Sequence, residues 1–317
     1  MYKAFFGLQD NPFAVSPNPK YLFVTKQIEE ALSGLMYGIH TRKGFITLTG
    51  EVGTGKTTLV NRLLEWLHHQ RARTAFLFNS RMNSKQLFDF ILAEFEIPCE
   101  IRDKGQQLLK LNKWLLERYR AGENAVLIVD EAQNLSQPVL EEIRLLTNLE
   151  TSSEKLLQIV LSGQPELEDK LKLPQLRQLR QRIMLRCTTH PLTKDQTAEY
   201  IRERLRIAGS SNDPIFDEKA IETVHLYSLG IPRVINLICE HSLVNAFTEN
   251  ERPIQAKTVE EVAREFQLDE VELIAPAGTP GIEGDVYDSG VFLQNLGDVL
   301  QRFRADPSLK PTNPRRK

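Results

Sequence analysis

Cysteine is scarce in this chain: Cys99, Cys187 and Cys239 stand far apart in 317 residues, and no two form a C-x-x-C pair. They read as reduced, structural thiols of a cytosolic protein. Six histidines are scattered without the H-E-x-x-H or any other metal-ligand spacing. No apolar run approaches the roughly 18 to 20 residues of a membrane span, and the N-terminus shows no signal-peptide apolar core or cleavage site. Neither sign of charge dominates. Lys and Arg number 40 against 42 Asp and Glu, a net charge of −2. No global field therefore calls for nucleic acid or a lipid surface, although a local basic patch stays open. No internal repeat is visible. The expectation is a soluble, cytoplasmic protein of one large or two medium domains with an ample core.

What is present is organised around Gly50-Glu51-Val52-Gly53-Thr54-Gly55-Lys56-Thr57-Thr58. The apolar run Phe45-Ile46-Thr47-Leu48 before it reads as a buried strand, and Leu59 to Leu67 after it has helical apolar spacing. Strand, glycine-rich loop and helix in that order are the context the pattern G-x-x-x-x-G-K-[ST] requires. Glycines let successive backbone N–H groups turn inward on phosphate oxygens, and the helix N-terminus adds its dipole. Lys56 reaches the β- and γ-phosphates as a point charge, and the Thr57 hydroxyl is a Mg²⁺ ligand. The stretch Gly50 to Thr58 predicts a nucleoside triphosphate site.

Ala125 to Val129 is apolar without interruption and runs into Asp130-Glu131. A wholly apolar strand is buried on both faces, hence a parallel sheet covered by helices. Carboxylates at the C-terminal edge of such a sheet lie where α/β proteins bind ligands. Asp130 is placed to organise Mg²⁺, and Glu131 to orient and activate an attacking water. Further strands are expected at Thr74–Phe78, Leu156–Leu161 and Ile183–Cys187, with helices at 26–40, Ser84–Phe95 (Ser84 as cap), Leu108–Arg120 and Val139–Leu149. The fourth strand ends in Ser162-Gly163-Gln164-Pro165, where either Ser162 or Gln164 could sense the γ-phosphate and a plain turn residue fits as well. A short helix over 174–182 carries Arg177, Arg180 and Arg182. These arginines suit a finger reaching into a neighbouring subunit, and equally a solvated or DNA-phosphate-contacting face.

Residues 1–25 are rich in aromatics and prolines, an extended arm that must pack on something, over a base pocket or simply on the core. After Pro191 the alternation of strand and helix stops. Helices over 195–208, 217–228, 232–245 and 258–266, the first opened by Thr193, make a small lid. Arg233 sits in a first turn, where a cation opposes the helix dipole, and a phosphate is the ligand that would justify it. Residues 268–317 are Pro- and Gly-rich and then basic, with one short amphipathic helix over 291–303, and read as a linker and tail. The domain expectation is 1–190 for an α/β nucleotide-binding domain with its arm, 191–267 for the lid and 268–317 for the tail.

With these pieces in place, the chain resembles the AAA+ ATPases of the ExeA/general secretion pathway protein A family. The likeness rests on Phe5-Phe6-Gly7-Leu8 with Asn11-Pro12-Phe13, on Leu48 to Thr58, on Ile128-Val129-Asp130-Glu131-Ala132-Gln133-Asn134-Leu135 and on Arg144 to Glu150. It continues through Gly163-Gln164-Pro165-Glu166-Leu167, Gln181-Arg182-Ile183 and Gly230 to Asn236, and so spans residues 1 to about 266. The resemblance implies an α/β P-loop NTPase with a C-terminal helical lid, using ATP and Mg²⁺. It implies Walker A at Lys56 and Thr57, Walker B at Asp130 and Glu131, sensor 1 at Gln164 or Ser162, and sensor 2 at Arg233. Arg182, with Arg180 as competitor, takes the part of a trans arginine finger, which implies an ATP-dependent ring or filament of this chain. A membrane or envelope protein is the implied partner, coupling ATP turnover to secretion, envelope assembly or export, with recruitment to the inner membrane. The membrane helix and peptidoglycan-binding region of that family are not matched in this chain. Transposition regulators of the MuB and TniB kind are also similar in their core, which keeps duplex DNA open as an alternative partner.

Overall fold

The computed structural model describes residues 2–268 apart from 15–18, 22, 79–80, 99–102 and 211–213. Cys99 and nearly all of the expected tail, including the helix over 291–303, lie outside the described residues. In chain order the elements are α1 (Tyr2–Phe6), a 3-10 turn at Pro19–Tyr21, α2 (Lys26–His40), β1 (Phe45–Gly50), α3 (Lys56–His69) and β2 (Arg73–Leu77). Then follow α4 (Ser84–Glu94), α5 (Lys104–Arg120), β3 (Ala125–Val129), a 3-10 turn at Ala132–Asn134, α6 (Gln137–Leu146) and β4 (Leu157–Gly163). After these come α7 (Pro165–Lys172), a 3-10 turn at Pro174–Leu176, α8 (Arg177–Arg180) and β5 (Leu185–Thr189). The chain closes with α9 (Lys194–Ile207), α10 (Glu218–Ser228), α11 (Pro232–Glu249) and α12 (Ala256–Glu265).

The chain forms two compact units. One comprises Lys26–Val52 and Lys56–His190 and is built on a single five-stranded sheet in the order β2-β3-β4-β1-β5. Each neighbouring pair is parallel, as the uninterrupted apolar strands require. Val126, Leu127, Ile128 and Val129 are wholly buried, each contributing about 1.5 to 3 kcal/mol of apolar burial. Register then places the chemistry. Val129 pairs with Leu161, so the next residues on the two strands, Asp130 and Ser162, emerge side by side at the C-terminal edge. Leu48 pairs with Ser162 and Thr49 with Gly163, which puts the end of β1 at the same edge.

Several local expectations shift. Asn83 rather than Ser84 caps α4, its side chain accepting from Lys85 N–H and Gln86 N–H while Gln86 returns the bond in a capping box. A carboxamide can close that reciprocal pair where Ser84 is already the first helical residue. α5 begins four residues earlier than the leucine spacing suggests because Asp103 caps it. The expected helix over 174–182 divides into the 3-10 turn and α8, and α7, opened by Pro165 at its first turn, had no counterpart in the sequence reading. Thr193 does open α9, with a capping box to Gln196.

The second unit holds the described parts of Met1–Thr25 and of the chain from Pro191, together with Gly53–Gly55. The sequence reading attached the N-terminal arm to the sheet domain; the structure groups it with α9 to α12. The reason is aromatic. Phe6, Leu8 and Phe13 are buried in one core with Tyr200, Ile201, Phe216, Ile235, Ile238 and Leu243. Phe13 meets Phe216 edge to face at 6.4 Å, and Phe5 meets Phe247 likewise at 5.7 Å. At the centre lies the buried cation Arg204, which donates to Tyr200 Oη at 2.8 Å and through Nε to the Pro12 carbonyl. Its guanidinium sits 4.7 Å from the Tyr21 ring, 5.2 Å from Tyr200 and 6.0 Å from Phe13, a cage that offsets part of its desolvation. Glu240 of α11 accepts from Tyr2 Oη at 2.8 Å and Asn11 Nδ2 at 3.1 Å. The expected extended arm therefore begins in a short helix and is fastened by side chains along its length.

Candidate nucleotide site

Within the sheet unit the polar groups converge where β1, β3 and β4 end. Gly50 closes β1 beside Thr189 of β5, so closely that a Cβ on it would lie 2.1 Å from Thr189 Oγ1. Glu51 and Val52 are exposed, Thr54 is buried, and Gly53 and Gly55 take φ of +82° and +96°, conformations that favour glycine. Gly53, grouped with the helical unit, accepts at its carbonyl from the backbone N–H of Arg233 at 3.2 Å. The Arg233 side chain itself is exposed.

Lys56, the first residue of α3, is buried and donates from Nζ to the Gly50 and Glu51 carbonyls at 2.7 and 2.9 Å. Burial pushes its ammonium pKa down, while the charges of Glu131, Asp130, Glu51 and Glu166 oppose the shift. A buried cation held this way, at the head of a helix that follows a glycine loop, can receive an anion. Thr57 is exposed at the head of α3 and Thr58 half-buried.

Asp130 is buried, and its Oδ1 accepts from Ser162 Oγ at 2.7 Å and from Glu131 N–H at 3.0 Å. Glu131 turns into the left-handed region, φ 52° and ψ 37°. Such a conformation is uncommon for a residue with a side chain, and it sets a bend directly after the strand. Its Oε2 accepts from Gln164 Nε2 at 3.2 Å and, in a short bond, from Gln133 Nε2. Thus Ser162 serves Asp130 and Gln164 serves Glu131; the two sensor candidates divide between the two carboxylates. Gln133, which the sequence reading quoted without assigning it a role, completes the arrangement. Its only sequence signal was its place two residues after the acidic pair.

A hydroxyl at Thr57 and the carboxylate of Asp130 are hard oxygen donors of the kind Mg²⁺ takes alongside phosphate oxygens and water. Among the described residues, no group of three or more His, Cys, Asp or Glu is placed to hold a metal ion. The donor set therefore fits a cation that arrives with a phosphate ligand. The arginines fall elsewhere in the sheet unit. Arg182 donates to Thr147 Oγ1 at 2.7 Å, while Arg177, Arg180 and Arg186 are exposed.

A parallel sheet in this order, with a phosphate loop after β1 and adjoining carboxylates after β3, coincides with a family match to the AAA domain over residues 39–171. This chain has an AAA+ P-loop NTPase fold. The AAA domain is thus the part of the chain that holds both nucleotide motifs. Over 256 residues the chain is 47% identical to the general secretion pathway protein A of Aeromonas hydrophila, an alignment covering 80% of this chain. It spans 46% of that relative's length. Among solved structures, ORC2 of Aeropyrum pernix in ADPNP–ADP complexes superposes with a TM-score of 0.59 at 15% identity, covering 83% of this chain and 75% of that one. A Drosophila ORC bound to DNA gives 0.61 at 21% identity, covering 81% and 64%. At that distance the two structures speak for the AAA+ fold alone. No helix among the described residues is long and apolar enough to cross a membrane.

Proposed function

We propose that this protein binds and hydrolyses ATP and couples the turnover, as an assembly of several copies, to a secretion or envelope-assembly system. The observation that carries the chemistry is the meeting of Lys56, Asp130, Glu131, Ser162 and Gln164 at one edge of the sheet. The inward-turned P-loop backbone and Lys56 receive the β- and γ-phosphates. Thr57 and Asp130 would hold Mg²⁺, which when bound would supply positive charge beside the phosphate oxygens. Ser162 fixes the Asp130 carboxylate, and Glu131 orients the attacking water. Arg233 serves a phosphate. Arg182 or Arg180 acts on a neighbour's nucleotide, and the exposure of Arg180 suits that part, whereas Arg182 is tied to Thr147. A finger used in trans makes assembly part of the mechanism. Mixing Arg182→Ala with Lys56→Ala chains should then restore some turnover, and no rescue at any ratio with assembly intact would remove Arg182 from that role.

The similarity to the secretion protein supports an envelope partner, and with it a cytoplasmic protein recruited to the inner membrane. Exposed Arg177, Arg180 and Arg186 favour the second reading, a duplex DNA path. Steady-state ATP hydrolysis with and without duplex DNA across a salt series separates them. Indifference to DNA supports the envelope reading. Strong stimulation that falls steeply with salt, as phosphate contacts dictate, would replace it with a DNA-dependent regulator.

A further inference from the structure

Gln133 stands at the crossing of three interactions. The orientation of its carboxamide is unambiguous because Gln164 N–H can only donate and the Glu131 carboxylate can only accept. The carboxamide oxygen therefore takes the Gln164 N–H, at 3.1 Å, and the carboxamide nitrogen gives its proton to Glu131 Oε2. Its own carbonyl accepts from Lys170 Nζ, which also reaches the Leu135 carbonyl at 3.0 Å. Both Gln164, the N-cap of α7, and Lys170, within α7, thus bear on this one residue.

The fold also clears space for it. A Cβ on Gly163 would fall 2.9 Å from Gln133 Oε1 and 3.0 Å from Leu167 Cδ2. Gly163 has no need of glycine's positive φ, so what it supplies is room for the carboxamide. The bend at Glu131 turns that side chain back toward the same point. A residue held at its carbonyl and at both ends of its carboxamide, opposite a glycine that admits it, is a built element of the site.

We propose that Gln133 is a positioning residue. It holds the Glu131 carboxylate in the orientation used on the attacking water and ties that orientation to the start of α7. The proposal rests on the ATPase reading above and deepens it. No bond is made or broken by Gln133. It acts through Glu131, so its loss should appear in turnover and leave ATP binding, which belongs to the P-loop, in place.

The test measures ATP hydrolysis and direct ATP binding on the full chain for the wild type, Gln133→Ala, Gln133→Glu and Gly163→Ala, with Glu131→Gln as reference. Gln133→Ala should lower kcat about tenfold to a hundredfold, the scale of losing the alignment of a reacting group. Its Kd for ATP should stay within about threefold of wild type, since uniform binding is untouched. Gly163→Ala, which crowds the carboxamide from the other side, should lower kcat in the same sense but less. In Gln133→Glu the donor to Glu131 Oε2 is replaced by a carboxylate oxygen, so kcat should fall at least as far as in Gln133→Ala while the Kd for ATP stays in place, a split that mere loss of packing would not give. Should Gln133→Ala fail to fold, the other two variants decide. Full turnover in Gln133→Ala, a loss confined to ATP affinity, or wild-type kcat in Gln133→Glu would each overturn the proposal. Wild-type turnover in Glu131→Gln, or none in the wild type, would overturn the ATPase reading itself and this role with it.

Discussion

The two units use polar side chains in opposite ways. In the sheet unit the interior is apolar strand, and hydrogen-bonding groups gather where the strands end: Ser162 on Asp130, Gln164 and Gln133 on Glu131, Lys56 on its own loop. In the helical unit the polar groups lie inside. Arg204 is buried among aromatic rings, and Tyr200 links it to Asn236 through a 2.9 Å bond. One set is poised for a ligand; the other binds the chain to itself. A buried cation is therefore not in itself a sign of chemistry. What separates Lys56 from Arg204 is what surrounds them, carbonyls and carboxylates at a sheet edge against rings and a carbonyl within a core.

Removing the two cations should sharpen that contrast. Lys56→Ala should lose ATP binding altogether in a calorimetric titration while the protein stays folded; unchanged affinity would take the P-loop out of the reading. Next in size, Glu131→Gln should bind ATP normally and turn over slower by about two orders of magnitude or more, as read in a steady-state assay. Arg204→Ala should do the reverse of Lys56→Ala. It leaves the Pro12 carbonyl and Tyr200 hydroxyl without their donor and opens a cavity, at about 2 to 4 kcal/mol. Hydrogen exchange should show that loss in the arm and α9 to α12 with the strands still protected. Equal loss of protection in the strands would mean that the two units unfold as one. Tyr2→Phe, which removes one of the donors to Glu240, should cost about 1 kcal/mol in denaturant unfolding. A cost near zero would show that the Asn11 bond alone fastens the arm there.

The sheet end of the molecule was legible in the sequence because its signals are local and ordered: apolar strand, glycines, lysine, then a second apolar strand with its acids. Register does the rest, since pairing Val129 with Leu161 brings Asp130 to Ser162 without further information. Gln133 escaped because a carboxamide has neither periodicity nor charge to mark it, and nothing in the sequence places it opposite Gly163. The arm was half legible. Its phenylalanines and tyrosines announced that they must be buried, but the partners lie some two hundred positions onward, as between Tyr2 and Glu240, and no local pattern names such an address. Exact helix starts failed for a simpler reason. Asn83 and Asp103 cap from just outside the apolar runs that the eye follows.

The arm's anchorage has a consequence for the order in which the molecule is made. Phe6 and Phe13 leave the ribosome well before the rest of the core they belong to, since they share it with side chains of α10 and α11. The strands of the sheet are all synthesised before those helices exist, and domains generally fold as their chain becomes available. Until α11 emerges, the core that holds Phe6 and Phe13 lacks Ile235, Ile238 and Leu243, and the Gly53 carbonyl has no Arg233 N–H to accept from. Gly53 is thus made early, between β1 and α3, yet its bond to Arg233 forms only after all five strands have been synthesised.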